Sequence, residues 1–416
     1  MRDAILVTGG LGYIGSHFVK RLLDDGKKVV VLDNLSTGHV QIDGLFRRAY
    51  GFEHFVFEFG DLTDKTRVHQ VFELHDIKGV VDFAAKSVVP ESNIQWETYL
   101  MNNVFAFANL LLEVHRRGIP LVKSSTAATY GEPPMGDNLR YQMPLAESYQ
   151  DAIVDGPGFE HSRLSNASVN LDVMMRWYLR CIVPTDPRFT LGERDLELVK
   201  IPTNVYGVTK LMDEVMMRHL KEHGLKYVAL RYFNACGADG LIGEHHNPES
   251  HLIPIVLQAA LGQRPLVKVF GNDYPVTDKD DPNDHSAVRD YIAVGDLADA
   301  HLECLYYLLN GGESEVFNLG VGKGASVNRV IKTAREVVGE RYPIRAEDAP
   351  RRPGDPAELV ANPSKIYTAL GWRARVTDLR DAICSAWNWH LQNPRGYDGW
   401  NLTTLIQRAA AITPAR

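Results

Sequence analysis

The chain reads as an α/β protein, a doubly wound parallel sheet followed by a smaller C-terminal α/β region. Three observations predict it. At the N-terminus a strand, a glycine turn, a helix and a second strand ending in Asp33 follow one another. Apolar strand-like runs then alternate with helical patterns as far as Gly237. Beyond it, loops rich in Gly, Pro, Asn and His break that rhythm. Strands alternating with helices imply a mostly parallel sheet, because each parallel connection needs a crossover long enough to hold a helix.

Ala4–Thr8 is the first apolar run, and "SHFVKRLLDDG" after the glycines has apolar residues at helical spacing, closed by Gly26. "KVVVLDN" is the second buried strand. Further strand-like runs are Phe55–Leu62, Gly79–Ala85, Leu121–Gly131 and Tyr227–Gly237, with a helical pattern at Asn102–Arg117 among those between them. From about Tyr149 to Pro202 a polar loop, an apolar run and a Pro-rich acidic stretch do not fit. This segment reads as an insertion with its own helix at Leu171–Val183. The expected organisation is a first domain over 1–235, carrying the insertion at about 149–202, and a second region over 236–396. Residues 287–309 pack back on the first domain, with a helix over Asp296–Leu309, and 397–416 form a tail with a terminal helix and a frayed end.

Size and composition bound the function. A chain of 416 residues, 45% apolar and 23% charged, has ample material for a buried core. Acidic and basic residues are interspersed at a net charge of −7, which argues against nucleic acid as a partner. The four cysteines, Cys181, Cys236, Cys304 and Cys384, are widely spread without a CxxC, so free thiols are expected and no metal site. The chain runs straight into a strand and holds no long uncharged apolar run, so a cytoplasmic enzyme with no membrane partner is expected.

The chemistry begins at "TGGLGYIG", which places Gly9, Gly12 and Gly15 between strand and helix. Glycine permits the tight turn and lets backbone N–H groups approach a pyrophosphate, whose charge a helix N-terminus favours. Asp33 at the tip of the second strand suits the adenine-ribose hydroxyls and repels a 2′-phosphate, which favours NAD over NADP. Taken alone, the same residues also describe a glycine turn with an ordinary acidic strand end. Gly60–Asp61 ends the third run and suits a contact to adenine. Downstream, "NVYGVTK" sets Tyr206 and Lys210 on one helical face, while "SSTAATYG" puts Ser124, Ser125 and Thr126 at the ligand-binding edge of a parallel sheet. Lowering a tyrosine from about 10 to about 7 takes roughly 4 kcal/mol. One cation about 4 Å away supplies on the order of 4 kcal/mol at an effective dielectric of 20. Lys210 and the positive nicotinamide ring are therefore expected to make Tyr206 a base near neutrality, with Thr126 sharing the substrate hydroxyl. The alternative is a surface Tyr/Lys pair.

These motifs, with "LVTGGLGYIGSH", "VVVLDNLSTG", "DFAAKSVVPES", "ALRYFNACGA", "PESHLIPIVLQAA", "VRDYIAVGDLADAHL" and "RRPGDPAELVA", resemble the extended short-chain dehydrogenase/reductase family over about Ala4–Trp372. Within it they are similar to its nucleotide-sugar 4-epimerases of the UDP-glucose/UDP-galactose type. The resemblance implies a Rossmann-type sheet, NAD as cofactor, a UDP-sugar as substrate and a homodimer. It implies a reaction in which C4 is oxidised to a ketone, the sugar turns, and hydride returns to the other face. Thr126, Tyr206 and Lys210 match the catalytic positions. Gly9, Gly12, Tyr13, Ile14, Gly15, Asp33, Asn34, Asp61 and Leu62 match cofactor positions. So do Phe83, Ala84, Ala85, Ser87, Asn102, Ser124 and Phe233, besides Tyr206 and Lys210. Asn234, His251, Leu252, Lys268 and Phe270, with Arg289, Tyr291, Arg352, Asp355 and Leu359, match substrate positions beside Thr126.

Three stretches depart from the family pattern and are expected to flank the sugar: the insertion, the acidic loop Thr277–Ser286, and "HSAVRDYIAV". Ser87 stands where some relatives carry Lys, and the modest Leu359 where some carry Tyr, leaving room for an N-acetyl group. The open alternatives are an N-acetylated or uronic nucleotide sugar, nucleotide-sugar dehydration, and a non-catalytic NAD-binding regulator. Against dehydration, Thr126 is followed by Ala127 and Ala128, which move no protons. The insertion is expected to form a lid or dimer element.

Overall fold

The computed structural model describes residues 3–131, 202–352 and 354–412. The insertion at 149–202, with its helix over Leu171–Val183 and the lid or dimer role assigned to it, lies outside the described residues apart from Pro202.

Seven strands form one parallel sheet. In chain order they are β1 (Ala4–Thr8), β2 (Lys28–Asp33), β3 (Phe55–Phe59), β4 (Ile77–Asp82), β5 (Leu121–Thr126), β6 (Tyr227–Tyr232) and, later, β10 (Glu315–Leu319). Their spatial order is β10-β6-β5-β4-β1-β2-β3, every neighbour parallel. The chain reverses direction of growth between β1 and β4, and such a switch point opens a crevice at the strands' carboxyl ends.

The two faces of the sheet separate by the period-2 alternation of a strand. Ile5, Val7, Val29 and Val31 join Phe18, Leu22, Phe46 and Leu297 on one side. Ala4, Leu6, Val30 and Leu32 join Val71, Phe107, Leu110 and Met217 on the other. The helices Tyr13–Asp24, Val40–Tyr50 and Val294–Leu309 thereby cover one face. Lys65–Leu74, Ala106–Arg117 and Val205–Lys221 supply the apolar side chains of the other.

The chain from Asn234 onward carries short strands besides β10. β7 (Asn234–Cys236), β8 (Val267–Phe270), β9 (Val288–Ala293), β11 (Gly324–Ser326), β12 (Ala346–Ala349) and β13 (Glu358–Leu359) make two small sheets, β11-β9-β13 with β7 on β9, and β12-β8. It has its own apolar cluster around Val256, Ile331 and Ile383. Trp389, Tyr397 and Trp400, however, belong to the same core as the first strands.

Several elements differ from expectation. The sequence runs overshoot the strands at their carboxyl ends, because the apolar and small residues there line a cleft. The expected helix over Asn102–Arg117 begins with a π-helical segment, Leu100–Phe105, before the α-helix Ala106–Arg117. The terminal helix expected in the tail is Leu402–Ala411, and residues 413–416 lie outside the described residues. Tyr397 is fully buried, its hydroxyl donates to the Gly243 carbonyl at 2.8 Å, and the helix Leu402–Ala411 packs on Val40–Tyr50. Cys236, Cys304 and Cys384 are free. Among the described residues no helix is long and apolar enough to cross a membrane.

Trp389 is 1% exposed and fills the space over Gly243, where a Cβ would meet its ring at 2.5 Å. Replacing Trp389 by Ala is expected to lower stability by about 3–5 kcal/mol, read from urea unfolding.

Candidate active site

The sheet edge opens into a cleft of about 1300 Å³ that runs from Gly9 to Leu359. This exceeds the roughly 300–1,000 Å³ of a pocket for one small ligand and has room for two. Every residue matched to a catalytic, cofactor or substrate position lines it, Ser87 and His251 included, whereas Ser125 is buried and donates to Glu214 instead.

At its floor, Gly9 has φ +66°, and a Cβ there would lie 2.8 Å from the Ala84 nitrogen. A Cβ on Gly15 would lie 2.2 Å from the Gly9 carbonyl oxygen. Gly12 caps the helix Tyr13–Asp24 without a side-chain hydrogen bond, so the N–H groups of its first turn keep their capacity for an anion. Asp33 is 7% exposed; its carboxylate accepts from the N–H of Leu11 at 3.0 Å and of Leu35 at 2.8 Å, and burial raises its pKa. Those bonds orient it toward the cleft with lone pairs to spare. Asn34 donates to Asp61 at 2.6 Å. A glycine cradle that a Cβ would fill, a helix N-terminus and an acid at the second strand tip fit an NAD molecule.

The helix Val205–Lys221 begins at Asn204, whose side chain accepts from the Gly207 N–H at 2.8 Å. Gly207 is required there because a Cβ would sit 2.4 Å from the Ala128 carbonyl oxygen. That closeness brings Tyr206 near Thr126, whose hydroxyl acts to lower the phenol's pKa. The Tyr206 N–H donates to Ser92 at 3.1 Å. Lys210 is 2% exposed and donates to the Ser124 carbonyl at 3.0 Å. Burial pushes Tyr206 up to about 12, with Thr126 and Lys123 acting the other way. Burial, then Lys123, pushes Lys210 down to about 7. This corrects the expectation that Lys210 and one cofactor charge balance the ordinary tyrosine value: burial adds roughly 3 kcal/mol to the task.

At the far end, Arg289 is engaged by Asp355 at 2.5 Å and by the carbonyls of Val288 and Pro356. It is therefore a tied cation. Arg352 stacks on Phe270, its guanidinium carbon 3.9 Å from the ring centre. The acidic loop Thr277–Ser286 is corrected too. None of its residues lines the cleft. Asp278 accepts from the Ser326 N–H at 2.9 Å and Asp284 accepts from the Ser326 hydroxyl, so the loop pins the start of the helix Val327–Val338.

Sequence reasoning missed Glu244, His246 and Glu249, which line the cleft beside His251. The four side chains bring potential ligand atoms within 4.8 Å of one another. Burial disfavours charge on His251, but Glu244, 2.8 Å away, outweighs it and raises the imidazole to about 10. The signal was the run "GEHHNPESH", two acids and three histidines in nine residues, which reads locally as a loop.

Comparison with known proteins agrees with this geometry. The model of the NAD dependent epimerase/dehydratase family matches residues 5–150 and 180–320. A UDP-glucose 4-epimerase of Halalkalibacterium halodurans is 43% identical over 402 residues, 96% of this chain and 98% of that one. A solved UDP-glucose 4-epimerase from Stenotrophomonas maltophila, with bound NAD and formylated UDP-arabinopyranose, superposes with a TM-score of 0.74 at 31% identity, covering 95% and 99% of the two chains. One from Bifidobacterium longum in complex with NAD+ and UDP gives 0.73 at 30% identity, covering 94% and 99%. The chain belongs to the NAD dependent epimerase/dehydratase family.

Gly15→Ala is expected to abolish retention of NAD, because the added carbon and the Gly9 carbonyl cannot share the space. Nucleotide released from denatured protein and quantified by chromatography checks it.

Proposed function

We propose that this chain inverts C4 of a UDP-sugar of the UDP-glucose/UDP-galactose type through a transient 4-keto sugar, with Tyr206 as the base. The observation that carries the reading is the placement of Tyr206, Thr126 and Lys210 in the same cleft as the glycine cradle. NAD⁺, held by the glycine cradle and Asp33, would supply the hydride acceptor for C4 and the donor for its return.

The chain's own residues do the rest. Thr126 holds the C4 hydroxyl against Tyr206, which takes its proton as phenolate and returns it once the ring has turned. A phenol held near 12 needs nearby positive charge to ionise, and Lys210 with the ligand's own cation provides it. Loading the cofactor therefore arms the base, and the empty chain keeps it neutral. Arg352, Lys268 and His251 give the substrate diphosphate its cations, while Arg289 acts through Asp355 to shape that end. Asn234, Leu252, Phe270 and Tyr291 position the uridine end. A nucleotide sugar enters and leaves around a cofactor that stays.

Leu359 leaves room beside the sugar for an N-acetyl group, so UDP-GlcNAc is a second substrate to test. We extend the reading to a homodimer formed through the helices that carry Tyr206 and Leu100–Arg117, supported by the exposed Met101, Phe105 and Leu112.

Purified protein without added NAD is expected to interconvert C4 epimers of UDP-Glc, and NMR of UDP-Glc, UDP-GlcNAc and UDP-GlcA reactions reads the preference. Tyr206→Phe should lose about 10³-fold in turnover while keeping its NAD. Net consumption of NAD, or undiminished turnover in that variant, would overturn the reading.

A further inference from the structure

Beneath the cleft floor lies a row of charge that the reaction itself does not require. The register sets Thr8 beside Asp82 and Asp82 beside Lys123 on three adjacent strands. All three are completely buried. Lys123 Nζ lies 2.5 Å from Asp82 and 3.1 Å from Asp213, and 3.9 Å from the centre of the Phe107 ring. Asp82 also accepts from the Thr8 hydroxyl and from the Ala84 N–H at 3.0 Å. Asp213 has less company: among the described residues neither of its oxygens accepts a directed hydrogen bond, and Lys123 is its ion-pair partner.

Asp213 stands three residues after Lys210 on the same helix, a spacing at which side chains meet. Two acids, Asp82 and Asp213, thus meet two lysines, Lys123 and Lys210, in one buried cluster. Without Lys123, Lys210 would face a bare carboxylate one turn away. In a low dielectric that attraction is strong, and an uncompensated buried charge is costly. Lys210 would turn from Ser124 toward Asp213, and the carboxylate would cancel its field at the phenol.

We propose that Lys123 is a positioning residue which, by satisfying Asp213, leaves the Lys210 ammonium to Ser124 and Tyr206. This rests on the reading of Tyr206 and Lys210 given above. The groups acting on Lys210 are Asp82 from β4, Lys123 from β5 and Asp213 from its own helix, on which Tyr206 stands one turn earlier. Tyr232 from β6 reaches Ser124, and Tyr99 faces Tyr206. Glu214 and Arg231 close on each other at 2.6 Å. At both Tyr206 and Lys210 the influences of Lys123 and Asp213 are opposed.

The test compares K123M, D213N and K123M/D213N as NAD-loaded full chains, following kcat and KM for UDP-sugar epimerisation against pH. K123M should lose about tenfold in kcat near neutrality, its rising limb moving up by about one pH unit at unchanged KM. K123M/D213N should recover most of both, since no carboxylate then competes for Lys210. D213N alone, which keeps the pairing of Lys123 with Asp82, should move the limb to lower pH. Should K123M fail to fold, judged by melting temperature and retained NAD, D213N and the double variant decide. A wild-type limb in K123M, a double variant no better than K123M, or an unmoved limb in D213N would each overturn the proposal. Y206F run alongside separates the two readings: activity surviving there removes the base itself, whereas an inactive Y206F with unresponsive limbs removes only the coupling.

Discussion

Seven strands running the same way bring every carboxyl end to one edge, and the rest of the structure depends on that alignment. Parallel register makes Thr8, Asp82 and Lys123 neighbours, and one step further along it sets Thr126 beside Tyr232. Groups separated by tens of residues in sequence so become a continuous surface. The loops leaving β1, β4 and β5 can only turn outward there, which gives the glycine cradle, Phe83–Ala85 and the Thr126 hydroxyl a common space. An antiparallel strand in the middle would remove its loop from that edge.

The enclosed site carries an electrostatic tension. Burial disfavours charge on Tyr206 and on Lys210 alike, yet the proposed chemistry needs a phenolate and a nearby ammonium. The molecule answers with ligand charge in the cleft and fixed charge behind it. Enclosure also strengthens each interaction among those groups, so a misplaced carboxylate there does more harm than on the surface.

The second region is joined to the first by shared core and by direct bonds across the cleft. Tyr13 donates to the Gly237 carbonyl at 2.8 Å, and Thr203, just ahead of the catalytic helix, donates to the Gly354 carbonyl at 2.9 Å. The start of the helix that carries Tyr206 is thereby tied to the loop at Gly354. Arg289 and Asp355 spend much of their capacity on each other and on neighbouring carbonyls, while Arg352 stacks on Phe270.

Local pattern alone determined the strands, the glycine turn with Asp33, and the Tyr206–Lys210 spacing, because each follows from periodicity or steric demand within a few residues. Resemblance carried the remaining site residues, and all of them line the cleft. What only the folded chain decided are meetings between distant residues. The Lys123–Asp82–Asp213 cluster, the Glu/His group at 244–251, the tying of Arg289 and the packing of Tyr397 are of this kind. A buried lysine in "LVKSST" looks in sequence like any strand lysine. Its charge is tolerated only because register and a helix turn bring two carboxylates to it, and neither the pairing of strands nor the depth of burial is written in the residues beside it.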